Sequence, residues 1–469
     1  MRSNFSDLTE ALAFLDRSSD HEKITDSAYD RRNYNLQRTG ALLDRAGRPQ
    51  EEMRILHVAG TKGKGSTCHL LERCLREAGL RTGLFTSPHL VSICERLRIN
   101  GDPISRSAFC QLVETIRPHV ERMREQGPET APTYFEILTA MAIMHFAAES
   151  VDVSVLEVGL GGRLDSTNVI TPDCSIITAI GYDHMDKLGD TIEEIAAEKG
   201  GIIKNNVPVI IGKQKYPEAR SILQQVAREH SCRCWTVGEE MSVSGETPLQ
   251  ASCSDTDEPI GWTFDLSTPC RTYTRLRTSL LGRHQVSNCV TAIAALDMLR
   301  RTGRLSISSE QVEQGIARCR CPGRVELVAR EPAIILDTAH TVESIDALVR
   351  AVRTHFPDRP VRMLFGCMRD KDAGSMIQRI QGLCSHITLT ASAHSRAASP
   401  EALSAWLPET CSYDVECSPR EAFQNAISMT RSGEVLCVTG SFYLAGEIRK
   451  ILQSWDPSHL LRPVNFDPS

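Results

Sequence analysis

The sequence predicts an α/β protein in two parts: a larger N-terminal domain over residues 1–319, built on a parallel sheet, and a smaller Rossmann-like domain over residues 320–469. Three observations lead there. From residue 53 onward, short apolar runs alternate with amphipathic helical stretches, the pattern of parallel strands joined by crossover helices. A glycine-rich loop lies between the first of these strands and the first helix. After Pro322-Gly323-Arg324 the alternation starts again, which places the domain junction at that turn.

Taken in order, Met53–Ala59 reads as a buried strand. The stretch after Ser66 puts Leu70, Leu71, Cys74, Leu75 and Ala78 on one helical face and stops at Gly79. Thr82–Thr86, Val151–Val158, Ser175–Ile180 and Val207–Ile211 read as further strands. Residues 230–280 turn polar, Thr/Ser-rich and β-prone without helical period, which predicts a small antiparallel appendage. Helices return at Val286–Arg300 and Ser309–Arg318. In the second domain the expected strands are Ala333–Leu336, Val361–Phe365, His386–Thr390 and Val435–Thr439, with helices starting near Glu343, Ala373, Pro400 and Pro419.

The composition narrows the function. With 41% hydrophobic and 24% charged residues, the chain is an ordinary globular protein, not a disordered or fibrous one. It has no apolar run of the ~18 residues that a membrane helix needs, and no signal-peptide layout at its start, so a cytoplasmic location is expected. A net charge of −6 argues against nucleic acid as partner, while leaving room for a local basic pocket that holds a small polyanion. The seventeen cysteines are odd in number and scattered, and the close pairs Cys232/Cys234 and Cys319/Cys321 have the wrong spacing for zinc; they read as reduced, mostly buried thiols.

The chemistry starts at Gly60-Thr61-Lys62-Gly63-Lys64-Gly65-Ser66. Small residues let backbone N–H groups turn onto phosphate oxygens at a helix N-terminus; Lys64 can reach the β/γ-phosphates and Ser66 can face Mg²⁺. Gly65 separates lysine from serine, so the string departs from the usual P-loop spacing. Glu157 ends an apolar strand and offers a carboxylate at the sheet edge, as a Mg²⁺ ligand must. Asp183-His184 follows the next strand in the same way. Thr191 and Glu194 form a capping box for a helix whose apolar stripe, Ile192, Ile195 and Ala196, also carries Lys199. A lysine on an inward stripe must meet an anion, lose its proton or be chemically modified. Gly159-Leu160-Gly161-Gly162 imitates a dinucleotide fingerprint, but the turn-like residues 163–168 that follow favour a flexible substrate loop. Asp337 ends a strand of the second domain with His340 beside it, and Arg324 at the junction can reach a nucleotide held by the first domain.

Together these segments closely resemble the folylpolyglutamate synthase/dihydrofolate synthase family of the Mur ligase superfamily. The resemblance rests on HVAGTKGKGST (57–67), TSPHL (86–90), TYFE (133–136), LEVGLGGRLDSTN (156–168), residues 181–204, GRHQVSN (282–288), PGRVE (322–326) and TGSFYLAGEIR (439–449), in that order along nearly the whole chain. It implies a P-loop-containing, Mur-ligase-type ATP-binding domain and an ATP-dependent ligase that activates a carboxylate as an acyl phosphate for attack by glutamate. Carried over by position, Gly60, Thr61, Gly63, Lys64, Gly65 and Ser66 would hold the triphosphate, and Asn288, Arg324 and Asp337 would contact ATP. Ser66, Ser87, Glu157 and His184 would bind Mg²⁺, and Lys199 matches a carbamylated lysine. Lys64, His184, Lys199 and His340 are the candidate catalytic residues. Thr133, Tyr134, Phe135, Glu136, Leu164, Asp165 and Ser166 match the segments that bind the pterin or pteroate.

The implied substrates are ATP, L-glutamate and dihydropteroate or a reduced folate, and the family expectation is a monomer. Closure of the cleft on ATP would exclude water, with hinge motion around Arg320–Arg324. One departure stands out: where the family reads D-G-A-H-N, this chain reads Asp337-Thr338-Ala339-His340-Thr341. The alternatives are a Mur-type ligase with a different acceptor, a folate-binding homologue with impaired catalysis, and a P-loop switch ATPase; the last leaves Glu157, His184 and Lys199 without a role.

Overall fold

The computed structural model describes residues 7–20, 34–251, 259–454 and 462–463. Its first sheet comprises β1 (Ile55–Ala59), β2 (Thr82–Phe85), β3 (Leu97–Ile99), β4 (Asp102–Pro103), β5 (Val153–Glu157), β6 (Cys174–Ile177), β7 (Val209–Ile211) and β8 (Cys234–Thr236). The spatial order is β4-β3-β2-β5-β1-β6-β7-β8. From β2 to β8 all pairings are parallel, so six strands end at one edge. Every residue of β1 is buried. Leu56 and Val58 enter the core under one face, while Ile55 and Ala59 enter cores under the other, the period of two that a strand imposes.

The α/β class and the order of elements agree with the sequence reading, with two corrections. The first sheet is not wholly parallel, because β3 and β4 extend it through antiparallel pairing with β2 and with each other. Residues 234–236 belong to this sheet rather than to the appendage: β8 pairs parallel with β7 and buries Trp235 in the main core. Three residues are too few to display a period, so the segment merged in sequence with the polar stretch that follows.

The appendage is antiparallel as expected, formed by β9 (Ser242–Leu249), β10 (Gly261–Ser267) and β11 (Thr272–Thr278) in the order β11-β10-β9; residues 252–258 of that stretch lie outside the described residues. Its Trp262, Phe264, Leu266, Tyr273 and Leu276 share a core with the helix His284–Arg301. That helix is sandwiched between the first sheet and the appendage, and this is why it is apolar nearly all round. Its Asp297 is fully buried and accepts hydrogen bonds from Thr268 Oγ1 (2.6 Å), Tyr273 OH (3.0 Å) and Arg271 Nε (3.1 Å). Four helices, Leu8–Leu15, Leu36–Arg45, Arg106–Glu125 and Tyr134–Ala148, pack a second core against the opposite face.

The second sheet comprises β12 (Glu326–Glu331), β13 (Ala333–Leu336), β14 (Val361–Phe365), β15 (His386–Leu389), β16 (Tyr413–Val415), β17 (Val435–Thr439) and β18 (Arg462–Pro463), ordered β16-β15-β14-β17-β13-β12-β18. The five consecutive strands from β16 to β13 pair in parallel, and β12 and β18 extend the sheet antiparallel. Ile335 and Cys437 face one core, Ile334 and Leu436 the other. The two parts also touch directly: a Cβ on Gly446, in the helix Phe442–Ser454, would lie 2.1 Å from the carbonyl oxygen of Leu90, whose side chain joins the second domain's core.

Asp297→Ala strips three donors of their common acceptor and leaves Arg271, which still bonds Ser309 and the Ile307 carbonyl, without its carboxylate. The expected loss is about 3 kcal/mol in denaturant unfolding; a loss below about 1 kcal/mol would show that apolar packing alone holds the appendage in place.

Candidate active site

Parallel registry brings the predicted residues together. Val58 pairs with Glu157, Phe85 with Leu156 and Ala59 with Ile177, so the loop after β1, the carboxylate of Glu157, Ser87 and the segment 178–184 all emerge at one edge. The C-terminal edge of the second sheet faces them, bearing Asp337, His340 and Phe442. Between the two edges lies a cleft of about 2020 Å³. Pockets for one small ligand run to roughly 1,000 Å³, so this one has room for more than one substrate.

The loop is held tightly. Thr61 and Lys62 both donate their N–H groups to the carbonyl of Ala179 (2.9 and 3.2 Å), and Thr61 Oγ1 exchanges two 3.1 Å hydrogen bonds with the backbone of Gly181. A Cβ on Gly60 would sit 1.8 Å from Thr178 Oγ1, and one on Gly63 would sit 2.4 Å from Asn288 Oδ1. Both glycines have positive φ, 147° and 89°. Gly63 caps the helix Lys64–Glu77, whose first-turn N–H groups have no acceptor within the helix and are thus available to an anion. Lys64 Nζ donates to the Gly60 carbonyl at 3.1 Å.

Glu157 is 4% exposed, accepts one hydrogen bond from the Ser87 N–H (3.1 Å), and has no lysine or arginine within ion-pair distance among the described residues. Burial pushes its carboxyl up, with Lys64 the largest counterweight. A buried carboxylate so placed calls for a cation. Ser66, Ser87, Glu157 and His184 offer hydroxyl, carboxylate and imidazole donors, a set that fits Mg²⁺ sharing its coordination with phosphate and water. Among the described residues no three His, Cys, Asp or Glu side chains converge on a metal-sized point, so the protein alone forms no closed cage. His184, at φ 50°, is more than half exposed and stands 3.9 Å from Asp183 Oδ1.

Lys199 lies on the buried stripe of the helix Ile192–Gly200, 3% exposed. Burial, then Lys64, lower its pKa to about 7. No carboxylate lies within ion-pair distance of its Nζ among the described residues. Unlike the other candidates, Lys199 and Gly60 sit behind the wall of the cleft; the rest line it.

The loop expected to be flexible is instead tied down. Asp165 accepts from Leu160 N–H (2.9 Å) and from the N–H (3.0 Å) and hydroxyl of Thr167, whose oxygen meets His57 Nε2 at 2.8 Å. Asn168 Nδ2 bridges the carbonyls of Arg163 and Gly201, both at 3.0 Å. Ser166 Oγ bonds Thr139 Oγ1 at 2.6 Å. Thr133 and Glu136 form the capping box of the helix Tyr134–Ala148, and the Glu136 carboxylate is also gripped by Arg38 through contacts of 2.7, 2.8 and 3.0 Å. Phe135 packs on Phe85 and lines the cleft with Tyr134 and Leu164.

On the facing edge, Asp337 accepts the N–H groups of Val325 (2.8 Å) and Ala339 (2.9 Å), so it shapes the turn that carries Arg324. Arg324 lies over the Phe442 ring at 5.1 Å. His340 Nδ1 bonds the carbonyl of Thr338 (2.9 Å), which makes Nδ1 the protonated nitrogen and Nε2 the free acceptor. Thr341 caps the helix Val342–His355 through Ser344. Arg38, His57 and Phe442 were not singled out in the sequence. Nothing local marks the first, and the other two lie within quoted motifs where only the fold reveals their contacts.

Residues 58–296 match the Mur ligase middle domain, and residues 323–442 match the Mur ligase glutamate ligase domain. The chain is 36% identical over 419 residues to a dihydrofolate synthase/folylpolyglutamate synthase of Bacillus subtilis, covering 89% of this chain and 95% of that one. It is similar to a Mycobacterium tuberculosis folylpolyglutamate synthase solved with ADP and AMPPCP, with TM-score 0.82 and 29% identity over 97% of this chain and 100% of that one. It is also similar to Escherichia coli FolC in complex with DHPP and ADP, with TM-score 0.77 and 29% identity over 97% of this chain and 99% of that one. With the phosphate loop, the buried carboxylate and the two-domain cleft in place, the chain belongs to the dihydrofolate synthase/folylpolyglutamate synthase family of Mur-type ligases.

Proposed function

We propose that this protein is an ATP-dependent amide ligase that joins L-glutamate to dihydropteroate, to a reduced folate, or to both. The observation that carries the reading is the convergence, in one cleft, of a phosphate loop, the buried carboxylate of Glu157 and the arginine-bearing edge of a second domain. In the first step a carboxylate oxygen of the pteridine substrate attacks the γ-phosphorus of ATP, an O–P bond forms, and ADP leaves. The amino nitrogen of glutamate then attacks the acyl carbon; the C–N bond forms, the C–O bond to phosphate breaks, and the amine gives up a proton.

The first step needs charge neutralised where two anions meet. Lys64 would leave the Gly60 carbonyl for the β/γ-phosphates, beside the N–H groups of Gly63, Gly65 and Ser66. Ser66, Ser87, Glu157 and His184 would hold Mg²⁺, which when bound supplies positive charge to the phosphoryl oxygens. Asn288, Arg324 and Asp337 would frame the nucleotide, with Gly60 and Thr61 setting the loop against β6. Thr133, Tyr134, Phe135, Glu136, Leu164, Asp165 and Ser166 would form the pteridine subsite, the aromatic pair by contact and the acids by fixing the loops. His340, with Nε2 available, is placed to accept the proton that the glutamate amine releases.

Lys199 fits a carbamate: with a pKa of about 7 a substantial share of its amine is neutral near pH 7, and adding CO₂ to that neutral amine with loss of a proton would place an anion beside Lys64 and the metal. The departures at Thr338 and Thr341 are consistent with activity, since each makes hydrogen bonds that support the second domain's edge. No described helix is long and apolar enough to cross a membrane. We place the protein in the cytoplasm as a monomer, with its domain division between residues 319 and 320; the free state of the described cysteines accords with a reducing compartment.

Purified protein given Mg-ATP, glutamate and either dihydropteroate or tetrahydrofolate should release ADP and form a product one glutamate heavier by mass spectrometry. If ATP binds but neither pteridine yields an amide, the ligase assignment fails. Lys199→Ala should lower kcat by about 100-fold, the upper range for loss of a group that supports a metal site, while ATP affinity changes little and short carboxylates restore part of the rate. Equal losses in kcat and ATP affinity, with no rescue, would remove the carbamate from the account.

A further inference from the structure

Arg324 is held from two sides. Its face rests on Phe442, and its Nη1 donates to Thr338 Oγ1 at 3.2 Å. That hydroxyl has a single proton, and it is committed: Thr338 Oγ1 donates to the Gly323 carbonyl at 3.0 Å. The rotor is thereby locked with a lone pair directed at Arg324. The Thr338 N–H bonds the same Gly323 carbonyl at 3.0 Å, and the methyl Cγ2 packs under Gly323, where an added Cβ would come within 2.8 Å. Thr338 is 1% exposed, so water does not compete for these bonds. The remaining guanidinium N–H groups of Arg324 have no hydrogen-bond acceptor among the described residues, and the residue lines the cleft.

We propose that Thr338 is a positioning residue that pre-orients Arg324 toward the nucleotide, a role glycine cannot fill at the place where the family pattern has one. The proposal rests on the reading of Arg324 as a contact to ATP. Its physical content is entropic and directional. Arginine carries about 2 kcal/mol of rotamer freedom, and a guanidinium anchored at one nitrogen and one face keeps its free edge aimed at the cleft before the ligand arrives. Thr338 touches no substrate; it acts through Arg324 alone. The backbone of the turn is fixed independently by Asp337, through Val325 N–H, and by Glu326, which accepts the Gly323 N–H (2.7 Å) and pairs with Arg449. Removing the hydroxyl therefore frees the side chain of Arg324 without releasing the loop.

The test compares Thr338→Val, Thr338→Ser, Arg324→Ala and the Thr338→Val/Arg324→Ala double variant in the full chain. Binding of a non-hydrolysable ATP analogue is measured by calorimetry, with KM for ATP and for glutamate, kcat and Tm beside it. Valine keeps the shape and the backbone bond to Gly323 while deleting the hydroxyl. It should weaken nucleotide binding about tenfold, the effect of one hydrogen bond to a charged group, and leave KM for glutamate and Tm within error. Serine should bind within about twofold of the wild type, because the hydroxyl is retained. In the Arg324→Ala background, Thr338→Val should have no further effect. Wild-type affinity in Thr338→Val alongside weakened binding in Arg324→Ala would overturn the positioning role and leave the nucleotide contact intact. A tenfold loss that persists in the Arg324→Ala background would overturn it as well, since the effect would not pass through Arg324. Wild-type affinity in Arg324→Ala would overturn both the proposal and the reading beneath it.

Discussion

Beside the cleft, the fold keeps a carboxyl and an amine out of water without giving either an ion-pair partner. Glu157 and Lys199 are each almost fully buried, and neither has an ion-pair partner among the described residues. Removing a charged group from water costs several kcal/mol per ion even after relaxation. That cost is why burial raises the carboxyl of Glu157 and lowers the amine of Lys199. On the function proposed above, a metal ion at Glu157, a carbamate on Lys199 and a triphosphate at Lys64 would supply the missing counter-charges. The parallel strand order is what makes the arrangement possible, because it delivers β1, β2, β5 and β6 to the same edge with the phosphate loop in their midst.

The second domain is tied to that edge at two places. Arg324 projects from a turn shaped by Asp337, so the strand end and the junction form one unit. The loop that offers Ser87 also carries Leu90, whose carbonyl touches Gly446 of the second domain. The N–H groups of Leu90, Val91 and Ser92 converge on the Glu95 carboxylate at 2.9, 3.1 and 3.0 Å, so one side chain braces this loop. One loop thus meets the second domain at Leu90 and Glu157 at the Ser87 N–H.

Much of this was legible in the sequence wherever a physical signal was local. Strands buried on both faces read as continuous apolar runs, and four of the second sheet's central strands fall within a residue of their expected bounds. Lys199 was legible because a capping box fixed the helix start and the apolar stripe then named its buried positions. The helix Tyr134–Ala148 was not, since it is apolar on nearly every side and has no period to read. Strands β3, β4 and β8, at the two sides of the first sheet, are two or three residues long, too short for alternation. Arg38 lies 98 residues from Glu136, and no spacing rule links them. Thr338 was visible as a departure, but its hydroxyl's two partners appear only when the turn folds back on it.

The decisive measurement is a crystal structure with Mg²⁺ and a non-hydrolysable ATP analogue bound. The account predicts that Lys64 Nζ leaves the Gly60 carbonyl for the β/γ-phosphates, that the metal lies against Glu157 and Ser87, and that Arg324 reaches the nucleotide from the Thr338 side. A nucleotide bound elsewhere, with Lys64 still on Gly60 and Glu157 without a cation, would contradict it.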